Sequence, residues 1–449
     1  MEEAEIIYRK LIAAGSKNHL VYGNLAAVLG LQGKHSEVVD LLRKALVLYP
    51  NFPDAQFNLG NALRERGDLD AAITAYKKAL SLTPYHLDAQ RNLGTALEEQ
   101  GNLKAAVEAY EKAHQLSPSD PEICMNQAFV LHRQGDLDAA IACFQKALQL
   151  APDDPNIHVN IGIARKEQGD LSAAIDCFNK ALAIQANHAH AHASLGAVWM
   201  EKSDWHAAIS SYRKALESSA ENPDFHNNLG NALRQTGDLN AAIGAYQKAI
   251  SLRPEFPEAL DNLGLALKES GDLPAAIASH RRAIALKPGL LDAHNNLGLA
   301  LRESGEFSAA IASLNQALAL NPDFAKAHYN LGLTLYEYGD LPGAHAAYGK
   351  AISLEPRLPY AHNNLGTVLL ELGRPHDAIS CFAKELDFFP DNVDDKVNLA
   401  MAELMVGQYE IGWQRYENRL LNTQDRHLLD AAPACPRWDG RPLTTGDRL

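Results

Sequence analysis

Asparagine returns along this chain at a fixed interval. Asn24, Asn58, Asn92, Asn126, Asn160, Asn228, Asn262, Asn296, Asn330, Asn364 and Asn398 stand 34 residues apart or twice that, and Ser194 holds the one place where the series breaks. A carboxamide carries one acceptor oxygen and two N–H donors, so it can bond both the C=O and the N–H of an extended backbone. Each such bond contributes about 0.5–1.5 kcal/mol net. Asparagine is a mediocre helix former, about 0.6 kcal/mol worse than alanine per site. A helix-borne series of this length therefore forgoes several kcal/mol of propensity, and an interaction must offset it. Two are open on residue types alone: contact with an extended guest backbone, or a bond to the adjacent structural unit.

Other chemistry-bearing residues follow the same rhythm. His158, His192, His226, His294, His328 and His362 share a slot two residues before the asparagines. Metal ligands must converge within about 2.1 Å of one ion, whereas one histidine per unit on helices about 10 Å apart cannot close a site. The series reads as structural or groove-lining, and no metal or cofactor is expected. Glu65, Glu99, Glu167, Glu201, Glu269, Glu303, Glu337 and Glu371 form another series. Catalytic carboxylates need one unusual environment, not many equivalent ones, so these read as a solvated acidic rim able to steer basic partners. No GxSxG, P-loop, GxGxxG or HExxH pattern occurs, and no catalytic residue is assigned. Cys143, Cys177 and Cys381 share a small-residue slot with Ala75 and Ser211; with Cys124 and Cys435 they form no CxxC pair, which suits a reduced, cytoplasmic setting.

The elements that position these residues follow from the period. Proline recurs at Pro50, Pro84, Pro118, Pro152, Pro254, Pro288, Pro322, Pro356 and Pro390 in phase with the asparagines, and units of 34 residues cover 19–426 without insertion. Each unit predicts two helices. Helix A, such as 55–65, carries Leu59, Ala62 and Leu63 on one face. Gly67 ends it in a left-handed C′ conformation, Asp68 caps helix B, and Pro84 stops helix B. Asp120-Pro121, Asp154-Pro155 and Asn222-Pro223 pair a cap with a proline at the first helical position. Gly60, Gly94, Gly162, Gly230, Gly264, Gly298, Gly332 and Gly366 in helix A, with Ala72 and its equivalents in helix B, permit close approach. Tyr76, Tyr110, Phe144, Phe178, Tyr212, Tyr246, Tyr348 and Phe382 are expected to fill the gap to the neighbouring unit. The unit 189–222 lacks the proline and has Ser203 for the hinge glycine, which marks a candidate bend.

This Leu-Gly…Ala…Tyr/Phe…Ala…Pro pattern resembles the tetratricopeptide repeat. The resemblance implies an all-α fold, a right-handed α-solenoid or superhelix of antiparallel helix pairs, with helix A lining the concave face. Twelve repeats would fill 19–426, preceded at 1–18 by helix B of a truncated repeat and followed at 427–449 by a Pro-rich linker entering a truncated domain. The ladder is similar to that of the tetratricopeptide region of O-GlcNAc transferases. By that resemblance Asn58, Asn92, Asn126, Asn160, Asn228, Asn262, Asn296, Asn330 and Asn364 are the expected peptide-binding residues. Residues 412–417 and 436–443 resemble the join in bacterial proteins where such repeats precede a glycosyltransferase, which implies that the parent protein could be an enzyme. Formal net charge is −14, which argues against a nucleic-acid partner and favours neutral or basic proteins or extended peptides. The acidic start Met1-Glu2-Glu3 is unlike a secretory signal, and no run of 18 apolar residues predicts a membrane span. Three readings follow: a peptide-holding scaffold, the recruiting arm of a protein O-glycosyltransferase, and an architectural or homo-oligomerising rod.

Overall fold

The computed structural model describes residues 2–421. The Pro-rich linker and truncated domain expected at 427–449, with Cys435, lie outside the described residues. Two compact units divide at Ala220 and Glu221. In the first, α1 (Glu2–Ala13) packs on α2 (His19–Gly30), which pairs with α3 (His35–Leu48). The following pairs are α4 (Pro53–Glu65) with α5 (Leu69–Leu82), α6 (Leu87–Glu99) with α7 (Leu103–Leu116), α8 (Pro121–Arg133) with α9 (Leu137–Leu150), α10 (Pro155–Glu167) with α11 (Leu171–Ile184), and α12 (Ala189–Glu201) with α13 (Trp205–Ser218). The second unit pairs α14 (Pro223–Gln235) with α15 (Leu239–Leu252), α16 (Pro257–Glu269) with α17 (Leu273–Leu286), α18 (Leu291–Glu303) with α19 (Phe307–Leu320), α20 (Ala325–Tyr338) with α21 (Leu341–Leu354), α22 (Ala361–Glu371) with α23 (Pro375–Phe388), and α24 (Val393–Met405) with α25 (Tyr409–Tyr416). Even-numbered helices are helix A and odd-numbered ones helix B. Within each unit a helix B packs on its own helix A and on the next, and successive A helices also touch, as α4 with α6 and α16 with α18.

Local chemistry sets the boundaries. Gly67 ends α4 with φ +80, a conformation that costs glycine nothing. Ser203 takes the same left-handed place with φ 59, so the turn survives the loss of glycine at some strain. Asn102, Asp136, Asp170, Asp204, Asp238, Asp272 and Asp340 each accept the backbone N–H three residues on, satisfying one orphan donor of helix B. Asp68 stands at the cap position without that bond; its carboxylate lies 3.6 Å from the Arg66 guanidinium instead. Asp120, Asp154 and Asn222 cap α8, α10 and α14, each followed by proline.

The core lies between the A and B layers. Ala72, Ala106, Ala140 and Ala242 are fully buried, as are Tyr76, Phe178 and Tyr246. Burial of each such ring removes enough apolar surface from water to contribute about 1.5–3 kcal/mol. Where the repeat carries a glycine, the aromatic also rests on it, so that a Cβ added at Gly60 would lie 2.5 Å from Tyr76, and one at Gly162 2.5 Å from Phe178. The gap that glycine opens thus lies within the helix pair.

Candidate functional site

The exposed side of the A helices carries the asparagine series, and the structure gives most of its members a partner on the preceding A helix. In the second unit Asn262 Nδ2 donates to Asn227 Oδ1 at 3.0 Å, Asn296 to Asp261 Oδ2 at 3.0 Å, Asn330 to Asn295 Oδ1 at 2.8 Å, Asn364 to the Tyr329 hydroxyl at 3.0 Å, and Asn398 to Asn363 Oδ1 at 2.9 Å. Every acceptor sits 35 residues earlier, one residue before the preceding rung. In the first unit Asn92 donates to Asn61 Oδ1 at 2.9 Å and Asn24 to the Tyr8 hydroxyl at 3.3 Å. These rungs are half-buried apart from Asn24, which is exposed; Asn126, Asn160 and Asn228 are half-buried and Asn58 is exposed. One Nδ–H fixes the rotamer of each bonded amide, and a second Nδ–H and Oδ1 remain on the same group.

The slot three residues after the asparagine meets the core side chain of the same repeat. In three repeats it gives a tyrosine hydroxyl its partner: Asn61 for Tyr76 at 2.7 Å, Thr95 with Tyr110 at 3.0 Å, and Asn231 for Tyr246 at 2.8 Å. Elsewhere the pairing is not kept: Ala197 and Leu333 stand in this slot opposite Tyr212 and Tyr348, and Thr367 opposite Phe382. Burial pushes Tyr76 and Tyr246 up to about 12, so these rings stay neutral donors.

The glutamate series is not a free acidic rim. Arg234 bonds Glu269 at 2.6 Å, Lys268 bonds Glu303 at 2.9 Å, and Arg302 bonds Glu337 at 3.0 Å, each partner one repeat further on. In the first unit Arg64 approaches Glu99 at 3.9 Å and His132 approaches Glu167 at 3.0 Å, while Glu98 reverses the polarity by accepting from Arg133 at 2.9 Å. Tyr336 donates to Glu371. A cation on the preceding A helix thus pairs with Glu99, Glu269, Glu303 and Glu337, half of the series, which weakens the expected steering of basic partners.

The histidine series is structural. His192, His294, His328 and His362 direct Nε2 at the carbonyl of the residue six before, in the turn that precedes their helix, at 2.9–3.2 Å. Burial lowers the pKa of His158 and of His362. Leu260 stands in this slot in one repeat; there Arg282 takes the Pro254 carbonyl at 3.3 Å, and a shallow cleft of about 500 Å³ lined by Ile250, Leu260 and Leu263 opens beside it. Among the described residues no group of three His, Cys, Asp or Glu side chains is placed to hold a metal ion, and no helix is long and apolar enough to cross a membrane. Cys124 and Cys143 are buried and Cys177 and Cys381 half-buried, all with thiol pKa raised by desolvation.

Within each unit, stacked helix pairs tied by side-chain bonds from one A helix to another define an α-helical repeat scaffold. Within that class the chain belongs to the tetratricopeptide-repeat family: models of that repeat match residues 28–121, 122–187 and, in successive segments, 198–373. Solved structures that it resembles include the APC/C hetero-tetramer Cut9–Hcn1, at 16% identity over 89% of this chain and 92% of that one with TM-score 0.48. MamA matches at 29% over 37% and 97% with TM-score 0.34. YrrB, described as a TPR protein with an unusual peptide-binding site, matches at 26% over 41% and 95% with TM-score 0.35. These neighbours are repeat proteins of the same family, and none of those named is an O-GlcNAc transferase. No curated protein matches the chain. A tetratricopeptide array is a scaffold for protein–protein contact.

Proposed function

We propose that the A-helix face holds extended segments of partner proteins through the asparagine series, with Asn58, Asn92, Asn126, Asn160, Asn228, Asn262, Asn296, Asn330 and Asn364 contacting the guest backbone. The observation that carries this is the uniform donation of the bonded amides in the second unit. One Nδ–H of Asn262, Asn296, Asn330 and Asn364 is anchored on the preceding helix, which pre-orients a donor and an acceptor of the same amide and lowers the entropy lost on capture. Main-chain recognition of this kind tolerates many guest sequences. With Glu269, Glu303 and Glu337 of the second unit each paired to a cation, that part of the face selects extended backbone more than it selects charge.

The test is selection from a displayed library of random dodecapeptides on the full chain, followed by anisotropy titration of the fluorescein-labelled winners. The variant carrying Asn→Ala at Asn228, Asn262, Asn296 and Asn330 should keep its helical circular dichroism and lose at least tenfold in affinity. Unchanged affinity, or no enrichment of any peptide, removes the proposal. The recruiting arm of an O-glycosyltransferase would use the same face; that reading rests on the resemblance at 412–417 and 436–443 and would require glycosyl transfer to a captured peptide by the parent protein.

A further inference from the structure

Three carboxylates near the end of the described array stand where the repeat demands apolar side chains. Glu385 occupies a slot filled elsewhere by Ala45, Ala79, Ala249, Ala317 and Ala351. Asp395 occupies the slot of Ala259, Ala293, Ala327 and Ala361, and Glu403 that of Leu233 and Leu301. All three are buried, at 1%, 0% and 3% exposure. Their surroundings differ. Glu385 reaches from α23 to the start of α22, where Oε1 accepts the Tyr360 N–H at 2.6 Å and Oε2 the His362 and Asn363 N–H groups at 3.0 and 3.3 Å. Tyr360 is left-handed, with φ 63, and α22 begins only at Ala361. Glu385 thus serves as a cap from beneath, accepting three orphan N–H groups at the start of α22.

Asp395 has no such support: both carboxylate oxygens are buried without a hydrogen-bond partner. It lies in the field of Glu385 from α23 and Asp394 of its own helix. The titratable group on α22 that shares this seam, His362, is held towards its neutral form by burial and donates no charge at neutral pH. Glu403, two turns further along α24, pairs with the Arg415 guanidinium and leaves Oε2 unpartnered.

We propose that the α23–α24 seam is a proton-operated latch, in which a neutral Asp395 carboxyl beside the Glu385 carboxylate keeps the α24–α25 pair docked and ionisation of Asp395 loosens it. A carboxylate buried without any hydrogen-bond donor, in the field of other carboxylates, is costly to ionise, and both Asp395 oxygens are in that position. Burial, Glu385 and Asp394 together push Asp395 from 3.8 up to about 6. A folded-state pKa above the unfolded one gives stability that is complete below about 4 and lost as pH rises through about 6. Between pH 5 and pH 8 those two values enlarge the opening equilibrium of the pair about tenfold. Asn398 of α24, bonded to Asn363 of α22, leaves the A-helix face when the latch opens.

Amide hydrogen exchange on the full chain, corrected for intrinsic rates, tests this without any ligand. Protection of α24 should fall about tenfold from pH 5 to pH 8 relative to α20 and α21. Asp395→Asn should remove most of the pH dependence, leaving the smaller part that burial of Glu403 on the same helix contributes. Asp395→Ala, which restores the side chain of the other repeats, should do the same and guards against misfolding of the first variant. Glu403→Gln should retain the larger part of the dependence. A flat ratio in the unmodified chain, or a dependence undiminished in both Asp395 variants, overturns the latch.

Discussion

Replacing Asn330 by alanine separates the two roles that an asparagine can play on this face. Asn330 Nδ2 donates to Asn295 Oδ1 at 2.8 Å, and Asn295 is only 7% exposed. Removing the donor strands a nearly buried acceptor, which costs about 1–3 kcal/mol. Alanine returns about 0.6 kcal/mol of helix propensity, so the net loss is about 0.5–2.5 kcal/mol. Asn58 is exposed; there the same substitution should stabilise by about 0.6 kcal/mol. Each repeat meets mainly its neighbours, so a single global melt would blur such local effects. Hydrogen exchange resolved to peptides of α18 and α20 is the appropriate assay, and a loss of about 1 kcal/mol should appear as roughly fivefold faster opening. The pair Asn295→Ala and Asn330→Ala should cost less together than the sum of the two singly. Unchanged or improved protection in Asn330→Ala, or strict additivity, would refute the claim that the ladder is tied from rung to rung.

Two further substitutions probe the helix pair. Ser203→Gly relieves a left-handed serine with φ 59 and should raise the protection of α12 and α13 by about 0.5–1 kcal/mol; a loss of protection would show that Ser203 is held there by something other than the turn. Gly230→Ala places a Cβ 2.6 Å from the Tyr246 ring and should destabilise by about 1–3 kcal/mol, whereas Gly244→Ala meets nothing within 4 Å and should stabilise by about 0.8–1 kcal/mol. Equal signs for the two glycines in chemical denaturation would contradict the close ring contact.

Much of the fold was legible because its determinants are local. The 34-residue spacing, the turn glycines, the capping acids followed by proline and the alternation of two helices all act within a few residues of one another. What the face does with its side chains was not legible in the same way. The glutamates read as a free rim because their cations stand one repeat away, where a linear reading does not place them side by side. The histidines read as structural or groove-lining; only the turn carbonyls beneath them decided between the two. The aromatic slot was recognised as core, but its contact with the glycine of the same repeat depends on how A and B cross.

The sequence by itself determined where each helix starts and stops, which face of it is apolar and how often an amide returns, since period, caps and breakers operate through backbone torsions and local hydrogen bonds. Only the tertiary structure decided that Asn330 reaches Asn295, that Arg302 reaches Glu337 and that Asp395 lies unpartnered in the field of Glu385. Pairs such as Asn330 with Asn295 and Arg302 with Glu337 stand 35 residues apart along the chain and become neighbours only when one repeat is laid against the next. Their energies come from burial and from orientation across that seam, and neither exists until the seam is made.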